Sequence, residues 1–343
     1  LLLAIVVVTA AVIGMTSMGV TDQLDQPSPL DGQISFEPDS AGTSAYVKRV
    51  DSPVEIRING ETIYTATPAD IGDELFLPTA PGDEVTVVSA GPKQEVLLRK
   101  TVDPASGDYM LHYPLVAGSG TQVSDKSENS NFAELGEYDG SSFDTGTGTH
   151  PSWTSTSEGT ALRFDGPGSN HAAKTNGIEL SEDDEVNEFT IAVKFNSHSD
   201  TGNIQQLVEH RNPSESWEWF LESDVVNAGG PDEFAVDYEV HFPNNQIART
   251  DPLKRGNTHV IVGTYTGDEM HLYVNGSKHD SETVSGSLSG DPAFMGDLWV
   301  GADLDCGCGQ YLDGDLYEVR LYYTALDDEE VEQVTTAMGK SDD

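Results

Sequence analysis

The chain has 343 residues, with 17 Lys and Arg against 59 Asp and Glu, for a formal net charge of −42. That length predicts two or three domains, and the charge excludes a nucleic-acid partner, because a phosphate backbone would be repelled. It is too extreme for an ordinary cytosolic enzyme and predicts a halophile's surface protein, kept hydrated by acidic side chains in salt that screens their self-repulsion. High charge is also a mark of disorder. The β-branched and aromatic runs after residue 30 argue against disorder for most of the chain.

The chain opens with LLLAIVVVTAAVIGMTSMGV, twenty residues without a charge. As a helix this segment spans about 30 Å, the hydrocarbon thickness of a bilayer. It carries no basic flank and no initiator Met, so a short basic leader is expected to have been removed. Ala4, Ala10, Ala11, Gly14, Ser17 and Gly19 are small enough for close helix approach. Ile5, Val6, Val7, Val8 and Ile13 are stiff and apolar.

This opening resembles a mature archaeal type IV pilin. In that family a peptidase removes a basic leader before an apolar helix, which first sits in the membrane and then packs into a filament core. The resemblance implies a core built on Leu1, Ile5, Val8, Ala11, Gly14 and Met18. Bacterial pilins usually carry a glutamate near the fifth mature position, where this chain has Ile5. A plain membrane anchor is the alternative.

Residues 21–33 are polar with two prolines and read as a hinge, so the helix and its hinge form a segment 1–33. Residues 34–105 read as a small β domain. Within it Val54, Ile56 and Ile58 alternate and then turn at Asn59-Gly60, a strong hairpin signal. A β-rich head after an apolar helix again resembles the pilin architecture.

Residues 109–338 carry short strand patterns separated by Gly, Asn and Asp turns, which predicts a β-sandwich or barrel. The carboxylates Asp327, Asp328, Glu329 and Glu330 mark the start of a closing helix. Four stretches in order resemble the laminin-G-like, concanavalin A-type jelly rolls. They are LHYPLVAGSGTQVSDKSENSNFAELGE, ALRFDG, HVIVGTYTGDEMHLYVNGS and YLDGDLYEVRLYYTALDDEEVEQV. The resemblance implies two antiparallel sheets packed face to face and a glycan or protein ligand. Three departures weaken transfer of a ligand site: FTIAVKF has no Trp, Tyr317 stands where the family often has Asp, and Glu128 replaces a loop glycine.

The loop DKSENSN sets Asp125, Ser127, Asn129 and Asn131 at alternate positions, a pattern that suits either a calcium ion or an Asx-rich turn. Family members often hold a structural calcium near this loop or near the Asp of FDG, here Asp165. Ca²⁺ is thus the candidate cofactor, with Asp125 and Asp165 as its main ligands. On EFAVDYEVHF, Asp237 and Glu239 resemble part of a Glu-x-Asp-x-Glu hydrolase strand, but the first position is Ala235. A retaining mechanism needs two carboxylates, so no catalytic residue is assigned. Trp217 and Trp219 share a strand face and serve either as sugar platforms or as core, with core favoured for at least one. Cys306 and Cys308 form a local disulfide or stay as thiols, since zinc would need two more ligands. Asn275-Gly276-Ser277 is an N-glycosylation acceptor pattern on a hairpin turn.

The expectation is a mainly β protein with a long apolar N-terminal helix: a non-enzymatic pilin of an extracellular filament. It would be a helical homopolymer, membrane-inserted before assembly, displaying a laminin-G-like domain for adhesion to a glycan or cell-surface ligand. A monomeric membrane-anchored lectin and a cell-surface glycosidase are the alternatives.

Overall fold

The computed structural model describes residues 34–39, 42–79, 83–90, 94–101, 109–127, 129, 131–138, 142–146, 148–175, 188–198, 204–211, 218–224, 232–241, 245–284, 297–302 and 310–339. The chain divides into two compact units, residues 1–109 with 126–128, and residues 110–125 with 129–343.

The first unit contains β1 (Ile34–Asp39), β2 (Gly42–Val47), β3 (Val54–Ile58), β4 (Glu61–Ala66), β5 (Glu74–Leu77), β6 (Glu84–Ser89) and β7 (Val96–Thr101). They form a three-stranded sheet, β1-β2-β5, and a four-stranded sheet, β4-β3-β6-β7. Period-two alternation puts Val54, Ile56 and Ile58 inside and leaves Glu55 and Arg57 half-buried. The Asn59-Gly60 turn has φ of 50° and 93°, the left-handed pair that a two-residue hairpin of matching twist requires. Asn59 also reaches β6: its Oδ1 accepts from the Glu84 N–H at 2.9 Å, and its Nδ2 donates to Asp83 at 2.7 Å.

The second unit runs β8 (Tyr109–Tyr113), β9 (Gln122–Val123), β10 (Ala133–Tyr138), β11 (Phe143–Asp144), β12 (Ser152–Thr156), β13 (Gly159–Asp165), β14 (His171–Thr175), β15 (Phe189–Ser197) and β16 (Gln205–Arg211). It continues with β17 (Glu218–Asp224), β18 (Glu233–His241), β19 (Asn245–Arg249), β20 (Leu253–Lys254), β21 (Thr258–Tyr265), β22 (Glu269–Val274), β23 (Ser277–Thr283), β24 (Asp297–Val300) and β25 (Asp313–Tyr322), and ends in helix α1 (Asp328–Ala337). The strands make a ten-stranded sheet, β11-β10-β14-β24-β16-β17-β18-β19 with β9 and β20 beside it. They also make an eight-stranded sheet, β12-β13-β25-β15-β21-β22-β23 with β8 beside β25. Every pairing described is antiparallel. One core, which includes Leu135, Phe164, Phe189, Trp219, Tyr238 and Leu321, is drawn from the inner faces of both sheets. This is a jelly-roll sandwich.

The expected architecture needs one correction. The fold is mainly β with α1 at its C-terminal end, and no long apolar helix is seen among the described residues. No helix there is long and apolar enough to cross a membrane. The physical reason is periodicity: apolar residues in the described chain alternate with period two, and α1 is the stretch where they recur at helical spacing, at Val331, Val334 and Met338. The segment 1–33, with Leu1, Ile5, Val8, Ala11, Gly14 and Met18, lies outside the described residues, as do Cys306 and Cys308.

Helix α1 is fixed at its start. Asp327 caps it, accepting from the Glu329 and Glu330 N–H groups, while Glu330 accepts from the Asp327 N–H. Asp328 takes the Tyr273 hydroxyl and the Lys278 ammonium, both at 2.7 Å. These contacts tie α1 to the β22–β23 hairpin.

Candidate functional site

Alternation along β16, β17, β18 and β19 turns one set of side chains into the core and the other onto the outward face of the ten-stranded sheet. On β18, Phe234, Val236, Tyr238 and Val240 face the core, which leaves Asp237 and Glu239 outward. On β17, Trp219 and Leu221 face inward and Glu222 outward. Cross-strand register then sets Gln206, Glu222, Asp237 and Arg249 in one row. Glu239 stands two residues along β18 from Asp237.

The carboxylates of this face are buried. Asp237 is 1% exposed, Glu222 7% and Glu239 8%. The three carboxylates offer oxygens that all lie within 4.8 Å of one another, the one such group of His, Cys, Asp or Glu side chains among the described residues. A buried carboxylate needs a partner. Arg249 supplies one by gripping Asp237 with both arms of its guanidinium, Nε to Oδ1 at 2.6 Å and Nη2 to Oδ2. The Arg249 backbone N–H is itself held by Asp280 at 3.0 Å.

Further across the same face stand Glu209, which is 2% exposed, and Trp299, its cross-strand neighbour. Lys174 lies 5.1 Å over the Trp299 ring and pairs with Asp297 at 2.6 Å. Trp299 is packed with Tyr138, Tyr311 and Phe143. Gly136 is required here, because a Cβ would come within 2.7 Å of the Phe143 ring.

The loop from Asp125 to Asn131 is held by hydrogen bonds from its own side chains. Asp125 accepts two backbone N–H groups, from His112 and Asn131, each at 2.8 Å. Asn129 and Asn131 donate to the Met110 carbonyl at 3.1 and 3.2 Å. These side chains thus bond the backbone of β8 from outside the strand. Ser127 is buried. Asp165 pairs across β13 and β25 with Asp313, whereas the β8 end of β25 is marked by the His112–Glu318 contact, five residues on. At about 3.4 Å per residue that is roughly 17 Å. Asp125 and Asp165 therefore lie apart along β25, at separate positions for the two places where calcium is expected. Asp165 lies instead 3.7 Å from His171.

The outward face of the eight-stranded sheet carries ion pairs of its own. Glu318 accepts from Arg320 at 2.6 Å and lies 2.8 Å from His112 Nε2. Burial pushes its carboxyl up, but the Arg320 charge and the His112 contact outweigh that and hold its pKa at about 2. Asp315 receives both arms of Arg163, at 2.6 and 2.7 Å.

Trp219 lies in the core, stacked on His210 with ring centroids 5.6 Å apart; Trp217 lies outside the described residues. Asn275 has φ of 49°, and its Oδ1 accepts from the Val260 N–H at 2.9 Å. A Cβ on Gly276 would meet Glu332 of α1 at 3.4 Å, so this turn packs on the helix and is not a free tip. Sequence reasoning found Asp237 and Glu239 but missed Glu222 and Arg249. Alternation in EWFLESD puts Glu222 opposite Trp219 and Leu221 in facing, yet nothing local states which strand lies beside it.

Residues 167–332 match the profile of a protein family described as the concanavalin A-like lectin/glucanases superfamily. No curated protein matches the chain. Among solved structures, domain 4 of AbnA, a GH43 extracellular arabinanase from Geobacillus stearothermophilus solved with arabinotriose, is 14% identical. The match has a TM-score of 0.50 and covers 66% of this chain and 98% of that one. The binding domain of Paraclostridial Mosquitocidal Protein 1 is 15% identical at a TM-score of 0.47, over 66% of this chain and 52% of that one. The botulinum neurotoxin serotype D binding domain is 10% identical at 0.46, over 66% and 50%. Residues 167–332 are a concanavalin A-like, laminin-G-like domain.

Proposed function

We propose that the jelly-roll unit is a non-catalytic glycan-binding module and that the outward face of its ten-stranded sheet holds the sugar. The observation that carries this reading is the row Gln206, Glu222, Asp237 and Arg249, with Glu239 beside it. Clustered carboxylate and amide oxygens accept hydrogen bonds from adjacent sugar hydroxyls. The surplus of negative charge favours neutral sugars over uronic or sulfated ones. Calorimetric titration with neutral oligosaccharides, arabinotriose first, tests this. Glu222→Gln with Glu239→Gln should weaken binding by about tenfold or more, equivalent to roughly 1.4 kcal/mol. Sugar binding that survives the double substitution would place the site elsewhere.

One observation favours hydrolysis as a second reading. Glu222 supplies from the neighbouring strand the partner carboxylate that Ala235 denies to the β18 pattern. Retaining glycosidases hold their two carboxyl groups about 5 Å apart. Release of reducing ends that disappears in Glu222→Gln while the sugar still binds would support it; binding without turnover in the unsubstituted protein rules it out.

Display on the outside of a halophile's cell, on a filament or at the membrane, rests on sequence: the apolar stretch Leu1 to Val20 and the net charge of −42. Electron microscopy of material sheared from expressing cells separates filament from membrane retention. Salt withdrawal should lower Tm, since unscreened carboxylates repel; a Tm that stays flat from molar to millimolar salt would remove the halophile part of the reading.

A further inference from the structure

The two sheets of the jelly roll end in four strands. Three of these carry charge: Asp144 on β11, Arg249 on β19 and Lys278 on β23. Charged edges discourage pairing with another chain. The fourth, β12, reads Ser-Trp-Thr-Ser-Thr and has none. One side of β12 pairs with β13, from Ser152 opposite Arg163 to Thr156 opposite Gly159. Along its other side, among the described residues, no backbone group of Ser152–Thr156 meets a backbone partner. β8, which lies off this path beside β25, is treated differently, since Asp125, Asn129 and Asn131 bond its backbone.

Two side chains of β12 are engaged on the two faces of the sheet, away from its edge. Trp153 turns toward the core, and its Nε1 donates to the Gly120 carbonyl at 2.8 Å. Thr156 faces the other way, with its Oγ1 3.2 Å from the Tyr317 hydroxyl.

We infer that β12 is a self-association edge, on which a second copy of this chain adds its own β12 antiparallel across a two-fold axis. The occupant follows from self-complementarity. Such an axis through Thr154 sets Thr154 opposite Thr154, Trp153 opposite Ser155 and Ser152 opposite Thr156. Thr–Thr and hydroxyl pairs are favourable cross-strand neighbours, and each strand satisfies the other's outward N–H and C=O groups. A charge on a self-pairing strand would meet a like charge across the axis, and one at its centre would meet its own copy. An uncharged edge on a chain of net charge −42 is what this pairing needs. The two eight-stranded sheets then join into one continuous sheet. Two such acidic copies approach only where salt screens them.

The test uses the detergent-solubilised full chain in molar salt. At the axis, two Thr154 Cα atoms lie about 4.5–5.5 Å apart, within disulfide reach. Mild oxidation should therefore link most Thr154→Cys chains into covalent dimers. Ser281→Cys, on exposed β23, should link no more than the unsubstituted chain, whose Cys306 and Cys308 set the background. Sedimentation should give a dimer that Thr154→Lys converts to a monomer with unchanged Tm. Crosslinking of Thr154→Cys no better than Ser281→Cys overturns the inference, as does a dimer that survives Thr154→Lys. An unsubstituted chain that sediments as a monomer, with β12 amides protected only when an extended peptide is added, assigns the edge to another protein's strand and overturns self-pairing.

Discussion

Replacing Arg249 with Ala is expected to destabilise the jelly-roll unit by about 1–3 kcal/mol, the range for leaving a buried polar group without its partner, because Asp237 is buried while Arg249 is partly exposed. Asp237 is 1% exposed and has both oxygens on the Arg249 guanidinium. Without the cation, three buried carboxylates within 4.8 Å face one another. Restoring an apolar contact would not help, because what is lost is the neutralising charge. Arg249→Lys should recover only part of the loss, since an ammonium cannot fork onto both oxygens. Asp237→Asn in the Arg249→Ala background should recover most of it. All four Trp residues, 153, 217, 219 and 299, belong to the second unit, so tryptophan fluorescence in urea reads that unit alone. If Arg249→Ala unfolds at the same urea concentration as the unsubstituted chain, the ion pair does not hold this face together.

Neutralising Glu318 should change how the second unit responds to acid. Its pKa in the fold, about 2, lies below the ordinary 4.5 because Arg320 and His112 oppose the effect of burial. A depressed carboxylate contributes stability that is complete above the unfolded pKa and is lost as pH falls through the folded one. The window is therefore pH 4.5 down to about 2. A difference of this size corresponds to about 3 kcal/mol. Glu318→Gln should accordingly lower stability at neutral pH, since Arg320, 1% exposed, loses the Glu318 charge. The variant's stability should also fall less steeply between pH 4.5 and 2. Parallel acid limbs for the two proteins would show that Glu318 does not supply the linkage.

Several parts of the fold were legible because their causes are local. Alternation in Val54, Ile56 and Ile58 sets a strand face wherever the strand ends up. Asn59-Gly60 and Asn275-Gly276 both turn as the dipeptide demands, with positive φ at each residue. The cluster Asp327 to Glu330 starts a helix because carboxylates satisfy its free N–H groups. Of the four motifs that pointed to a jelly roll, the last two, which begin at His259 and Tyr311, fall in the matched residues 167–332, and the first two precede them. By contrast, the loop Asp125 to Asn131 read equally well as an ion site or an Asx turn. Its alternating oxygens do not reveal that the Met110 carbonyl and the His112 N–H lie beside it.

The sequence by itself determined which residues alternate, where hairpins turn, where α1 begins, and that the chain carries a formal net charge of −42. These follow from side-chain chemistry within a few residues. Only the tertiary structure decided that Glu222 stands beside Asp237, that Arg249 neutralises it, that Asp125 and Asp165 are apart, and that β12 ends its sheet uncharged and uncapped. Each of these depends on register between strands distant in the chain. Register is set by the packing of both inner faces together, and no short stretch of sequence contains it.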